Sequence, residues 1–153
     1  MLPHPAAYIH FPWCVRKCPY CDFNSHPLRE QDDFAAYTRA LNIDWQAQQH
    51  TLEERVLFDS VFLGGGTPSL FAPEQMSPVL QKLPRSDGAE VTMETNPGTT
   101  EHHLLGGYRD VGINRLSIGA QSFSNAQLER LGRIHNNTET YAAYEQARGA
   151  GFE

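Results

Sequence analysis

The chain has 153 residues, 40% of them hydrophobic and 20% charged, with a formal net charge of −6. That length suits one ordinary domain with its own core, and the acidic balance leaves no overall basic footprint for nucleic acid or an anionic membrane. No apolar run approaches the ~20 residues that a membrane-spanning helix needs, and Met1-Leu2-Pro3-His4-Pro5 lacks the charged and apolar regions of an export signal, so the expectation is a soluble protein of a reducing cytoplasm.

In chain order, Ala6-Ala7-Tyr8-Ile9 reads as a first strand leading straight into a cysteine-bearing loop. A helix follows from about Asp32 to His50, with Phe34, Tyr37, Leu41 and Trp45 on one face. Val61-Phe62-Leu63 is the heart of a second strand, stopped by Gly64-Gly65-Gly66. Pro73 opens a helix to about Leu83, with Pro78 an awkward residue inside it. Glu90-Val91-Thr92-Met93-Glu94 alternates as a third strand, ended by the turn signal Asn96-Pro97-Gly98. Thr100 is placed to cap a third helix with Leu104, Leu105, Tyr108 and Val111 on its apolar face, although Gly106-Gly107 weakens it by propensity. Arg115-Leu116-Ser117-Ile118 is the fourth strand. Ser124 caps a short helix to about Leu131, Thr138 to Ala150 is helical, and a further strand is expected to begin at Gly151-Phe152-Glu153.

Four alternations of strand and helix predict βαβ units and an α/β fold built on a parallel sheet. Four strands do not close a barrel that normally takes eight, so the expected form is a partial barrel, with the fourth strand left as an unpaired apolar edge. In such folds the reactive residues gather at the carboxyl ends of the strands. The cysteines follow strand one, Gly64-Gly65-Gly66-Thr67 follows strand two, Glu94 ends strand three and Gln121 follows strand four, so all four groups fall on one rim.

Cys14, Cys18 and Cys21 are the only cysteines, spaced Cys-x3-Cys-x2-Cys. An odd, tightly clustered set argues against a disulfide framework. A cubane iron–sulfur cluster ordinarily takes four thiolates, one per iron, so three would leave one iron open to a ligand that is not protein. The competing reading is a structural zinc site with His10 or His26 as fourth ligand, but zinc loops usually bring two separated pairs of ligands together and no second pair exists here. Beside such a centre, Gly65 and Gly66 permit close approach of a ligand to the main chain. The Glu94 carboxylate suits ribose hydroxyls, Gln121 offers a donor and an acceptor, and Arg133 suits a carboxylate, bidentately. Tyr8, Phe11, Trp13, Tyr20 and Phe23 crowd the loop and are expected to form a dry shell around it.

The run Tyr8-Ile9-His10-Phe11-Pro12-Trp13-Cys14-Val15-Arg16-Lys17-Cys18-Pro19-Tyr20-Cys21-Asp22-Phe23-Asn24-Ser25-His26 resembles the signature of the radical S-adenosylmethionine (radical SAM) family. It is most similar to the oxygen-independent coproporphyrinogen III oxidase group. Phe62 to Ser69, Met93 to Gly98, Gly112 to Phe123 and Leu131 to His135 fit the same group. The resemblance implies that residues 1–153 form the amino-terminal part of a radical SAM core, truncated after about four βα units, with more strands and a carboxy-terminal domain beyond. It further implies a [4Fe–4S] cluster on Cys14, Cys18 and Cys21, with the amino and carboxylate groups of S-adenosylmethionine on the fourth iron. Tyr8, Tyr20, Gly65, Gly66, Thr67, Glu94, Gln121 and Arg133 would surround that cofactor, Tyr20 near the adenine. An electron from the cluster would break the sulfonium carbon–sulfur bond and give a 5′-deoxyadenosyl radical. The oxidases of the group carry a further cysteine two places after the third, where this chain has Phe23. That departure points to the haem-chaperone branch, with haem or a porphyrin, haem-accepting respiratory proteins and an electron donor as implied partners.

Overall fold

The computed structural model describes residues 5–52, 56–98 and 102–153. Four parallel strands lie side by side in chain order: β1 (Ala6–Phe11), β4 (Phe58–Gly65), β5 (Arg85–Thr95) and β6 (Arg115–Ile118). Two-residue strands β2 (Trp13–Cys14) and β3 (His26–Pro27) pair with each other in the loop after β1. The helices are α1 (Phe34–Gln49), α2 (Pro73–Leu80), α3 (Leu105–Asp110), α4 (Asn125–Arg130) and α5 (Asn137–Gly149). This is the expected α/β parallel sheet, with its strands adjacent in sequence order as in the opening stretch of a barrel.

Register makes the two faces of the sheet unlike. Ile9, Leu63, Met93 and Leu116 lie in one row across it, and Tyr8, Phe62, Thr92 and Arg115 in the next. Side chains alternate between faces along a strand, so the first row faces the helices and the second faces the opposite side. On the helix side Leu63 and Met93 are fully buried and join Met76, Leu80, Leu105 and Tyr108 in a single core. On the other side Tyr8 is 59% exposed and Glu94 and Ser117 are half-exposed.

Local chemistry accounts for the element ends. Asp33 caps α1 by accepting from the Ala36 N–H at 2.9 Å. Asn136 and Glu139 form a reciprocal capping box at the start of α5. Ser124 holds the N-cap position of α4, but its side chain makes no capping bond. The α2 helix stops at Leu80, earlier than expected. It tolerates Pro78, with the first turn held by Gln75 Oε1 accepting from the Ala72 N–H and with Pro73, Met76, Val79 and Leu80 buried. The Thr100 cap lies outside the described residues. Gly107 has a packing reason that propensity hides: a Cβ there would come within 2.8 Å of the Pro73 ring, so α3 approaches α2 closely only with glycine.

The second core strand stops, as expected, within the Gly64-Gly65-Gly66 run, its last residue being Gly65 because His10 and Phe11 of β1 pair with Gly64 and Gly65. One expectation about a strand edge is corrected. The outer edge of β6 is not bare along its whole length. The Glu153 carbonyl accepts from the Leu116 N–H at 3.1 Å, its N–H donates to the Asn114 carbonyl at 3.4 Å, and Phe152 is buried. Phe152 and Glu153 therefore lie beside the start of β6, where a fifth strand belongs.

Candidate functional site

The loop after β1 is fastened before it reaches its first cysteine. Phe71 is fully buried and stacks on Phe34 at 4.2 Å and on Trp13 at 5.7 Å, with Phe11 edge-on at 4.8 Å. Those rings fix the residue preceding Cys14. Backbone bonds then tie the loop to the end of β4: Gly66 N–H to the Phe11 carbonyl at 2.6 Å and Thr67 N–H to the Trp13 carbonyl at 2.7 Å. The far side closes through His26 N–H to the Pro12 carbonyl and Leu28 N–H to the Cys14 carbonyl. Lys17 folds back across the loop, its ammonium donating to the Phe23 and Ser25 carbonyls at 3.1 Å each.

A cavity of about 700 Å³ opens between this loop and the strand ends. Cys14, Cys18, Cys21, Tyr20, Gly65, Gly66, Glu94, Gln121 and Arg133 all line it. Thr67 does not; it is buried and touches the site through Asn96, whose amide donates to its hydroxyl at 3.0 Å. Tyr8 does not line the cavity either. Its hydroxyl lies 3.0 Å from His10 Nδ1, while His10 Nε2 lies 2.7 Å from the Asn24 carbonyl. A carbonyl only accepts, so Nε2 carries the proton and Nδ1 accepts from Tyr8. The Tyr8 hydroxyl is pushed above its ordinary pKa, first by burial and then by the Glu94 charge.

The glycines serve the protein's own packing. Gly65 has φ +111°, and a Cβ on it would meet the His10 ring at 2.4 Å; a Cβ on Gly66 would meet the Trp13 carbonyl oxygen at 2.5 Å. Glycine is needed here so that β4 and the cysteine loop can touch, which still leaves the main chain bare toward the cavity. Glu94 is likewise engaged, accepting from the Gly65 N–H at 3.0 Å. Gln121 sits in the left-handed region at φ 59°, unusual for a residue with a side chain.

Arg133 is delivered by the end of α4. The Arg133 N–H donates to the Leu128 carbonyl and the Gly132 N–H to the Glu129 carbonyl, both at 2.9 Å, with Gly132 at φ +68°. That is the 6→1 and 5→2 bonding of a Schellman turn. The guanidinium then donates to Asn96 Oδ1, to the Gly119 carbonyl at 2.9 Å and to Cys18 Sγ at 3.5 Å. Tyr20 lies against both Cys18 and Arg133. Burial raises its pKa and the Arg133 charge opposes that.

The sequence did not single out Asn96, which joins Thr67 to Arg133. Its signal was slight: an amide directly after the Glu94 strand, masked by a turn motif. The expected dry aromatic shell is only half present. Phe11 and Trp13 pack inward, but Tyr20 is 43% and Phe23 59% exposed at the cavity.

All three cysteines are free, half-buried thiols. Among the described residues, no three His, Cys, Asp or Glu side chains converge as ligands of one ion. A cubane left open at one iron asks for something different, one thiolate on each of the other three irons. Three free soft donors on one loop, facing a cavity with bare backbone opposite, fit such a group. No helix of the described residues is long and apolar enough to cross a membrane.

A parallel sheet in chain order, with three thiols and a glycine-walled cavity at its carboxyl rim, defines a class, and sequence comparison gives it a name. The radical SAM superfamily matches residues 8–153, and the chain belongs to that superfamily. Membership implies a [4Fe–4S] cluster and S-adenosylmethionine in general. The chain is 44% identical, over 99% of its length, to the heme chaperone HemW of Haemophilus influenzae, and 45% identical, over 99%, to that of Escherichia coli. It covers 42% and 41% of those proteins. It is also 37% identical to the mitochondrial radical S-adenosyl methionine domain-containing protein 1 of Bos taurus, over 94% of this chain and 33% of that one. Among solved structures it resembles the coproporphyrinogen III oxidase HemN of Escherichia coli, a radical SAM enzyme, with TM-score 0.84 and 27% identity. That match covers 97% of this chain and 35% of the other. The chain thus spans about two fifths of the curated relatives' length.

Proposed function

We propose that this chain is the cluster-bearing part of a haem chaperone, a protein that binds haem and delivers it to respiratory haem proteins. The single observation that carries this reading is the identity of 44–45%, across 99% of the chain, with proteins named heme chaperone HemW. Phe23 at the cavity, in the place of the oxidases' additional cysteine, supports it.

In this reading Cys14, Cys18 and Cys21 hold the [4Fe–4S] cluster and S-adenosylmethionine occupies the adjoining cavity. When bound, the cluster supplies an electron to the sulfonium. The chain's own residues orient and exclude. Gly65 and Gly66 present bare backbone to the methionine moiety, with Thr67 fixing Asn96 behind them. Glu94 and Gln121 supply polar contacts on the strand side, and Tyr20 supplies a ring near the adenine. Arg133 faces the carboxylate. Its terminal nitrogens are already bonded, so a bidentate grip exchanges the Asn96 or Gly119 bond for the ligand. Tyr8 acts through His10 on the Asn24 segment of the loop.

The second reading is oxidative decarboxylation of coproporphyrinogen III, favoured by the TM-score of 0.84 to HemN. A haem-binding titration run beside an anaerobic coproporphyrinogen turnover assay separates the two. Stoichiometric haem binding without turnover is the expected result, and turnover without haem binding overturns the proposal.

A further inference from the structure

Among the described residues, Cys18 is the one of the three cysteines whose sulfur receives a charged donor. Arg133 Nη1 reaches Cys18 Sγ at 3.5 Å across 115 residues of sequence, and the contact is built rather than incidental. The guanidinium plane is set by Asn96 Oδ1 and the Gly119 carbonyl on the other terminal nitrogen. Asn96 is itself held by the Thr67 hydroxyl, to which it donates. The backbone beneath is pinned by the Schellman turn at Gly132, and that turn rests on the cysteine loop. A Cβ on Gly132 would lie 3.1 Å from Pro19 Cδ, next to Cys18 in sequence. Among the described residues Arg133 Nε has no partner, so the fork is not saturated by protein alone.

Hydrogen bonds to cysteine sulfurs and nearby charge are among the levers that set an iron–sulfur potential. Reduction adds one negative charge, spread over the cluster and its thiolates. A fixed cation that donates to one thiolate stabilises the reduced form more than the oxidised form. We infer that Arg133, besides facing the cofactor cavity, is a positioning and tuning residue for the cluster: its bond to Cys18 raises the cluster's reduction potential and makes one cysteine electronically unlike the other two. The inference rests on the reading that Cys18 is a cluster thiolate. It adds a specific electrostatic link from the end of α4 to the metal centre.

The test uses the protein with its cluster reconstituted anaerobically and no S-adenosylmethionine present, so that any role of Arg133 toward that cofactor is absent. Iron and sulfide content of the wild type tests the underlying reading; the midpoint potential, followed by electron paramagnetic resonance, tests the inference. Arg133→Gln is expected to keep its cluster and to favour reduction about tenfold less, a fall of about 59 mV for a one-electron couple. Arg133→Lys, which keeps the charge and loses the fork, is expected to fall between the two. An unchanged potential in Arg133→Gln at full iron and sulfide content overturns the inference. A readout on the intact protein guards against variants that fail to assemble. With [15N]arginine and an Arg16→Gln background, which removes the other arginine of the cavity, the reduced cluster should show guanidinium-nitrogen hyperfine coupling by electron–nuclear double resonance. Absence of that coupling also overturns it.

Discussion

The two faces of the sheet are held by different physics. Toward the helices, Leu63, Met93, Leu80, Phe71 and Tyr108 are fully buried, and their contribution is area removed from water. On the opposite face the same strands carry Tyr8, Glu94 and Ser117, the last two at the cavity, and order there comes from long-range polar bonds. Glu94 reaches back to Gly65, Asn96 to Thr67, and Arg133 to Asn96 and Cys18. The apolar face resists unfolding, whereas the polar rim fixes where a ligand would meet the thiols. Substitutions on the two should therefore fail in different assays.

The largest effect expected is at the junction of the two. Cys18→Ser should abolish the visible absorbance of the reconstituted cluster while leaving the fold intact, because serine is a poor substitute for a thiolate on iron. Full iron and sulfide content in that variant would break the ligand assignment. On the apolar side, Phe71→Ala removes the ring on which Phe34, Trp13 and Phe11 stack and should cost about 3–5 kcal/mol in denaturant unfolding. A loss under ~1 kcal/mol would mean that the aromatic cluster does not anchor the loop.

On the rim, Arg133→Ala should weaken S-adenosylmethionine binding by about 1.5–3 kcal/mol, measured calorimetrically on the reconstituted protein. Unfolding free energy should change less in this variant than in Phe71→Ala, and the reverse ranking would erase the distinction between the faces.

The face that resists unfolding was the legible one. Apolar runs, alternation and helical spacing located Ile9, Val61, Leu63, Val91 and Met93 and the helices around Tyr37 and Tyr108, because burial leaves a local pattern in the sequence, and Pro73 marked the start of the helix between them. The three cysteines were legible on one loop because their spacing is itself local, all three falling within eight residues. The rim was legible only as a collection of residues at strand ends. Nothing local says that Glu94 bonds Gly65, or that the Asn96 amide bridges Thr67 and Arg133, since each pair lies about 30 or more residues apart. The glycines were read as room for a ligand, and the space proved to be filled by His10 and the Trp13 carbonyl. A glycine's neighbours are set by register, and register is not written next to it.

The smallest effect belongs to a histidine that lies behind the rim. His135 is only 4% exposed; its Nε2 donates to the Ala120 carbonyl at 3.2 Å, and its Nδ1 has no partner among the described residues. Burial lowers its pKa from the ordinary 6.5; the Ala120 bond opposes that, Arg133 lowers it further, and Glu139 raises it. The folded protein thus resists a proton that the unfolded chain accepts near 6.5. Stability from the neutral ring is present above that pH and is lost as pH falls through it toward the folded value. His135→Gln keeps a donor for Ala120, next to the left-handed Gln121, and removes the titration. Its denaturant midpoint should therefore fall less than the wild type's between pH 7.5 and pH 5.5, while the two proteins differ little in shape or cluster content. Parallel pH profiles would show that the ring is protonated in the fold without penalty, and that this part of the rim tolerates charge as readily as solvent does.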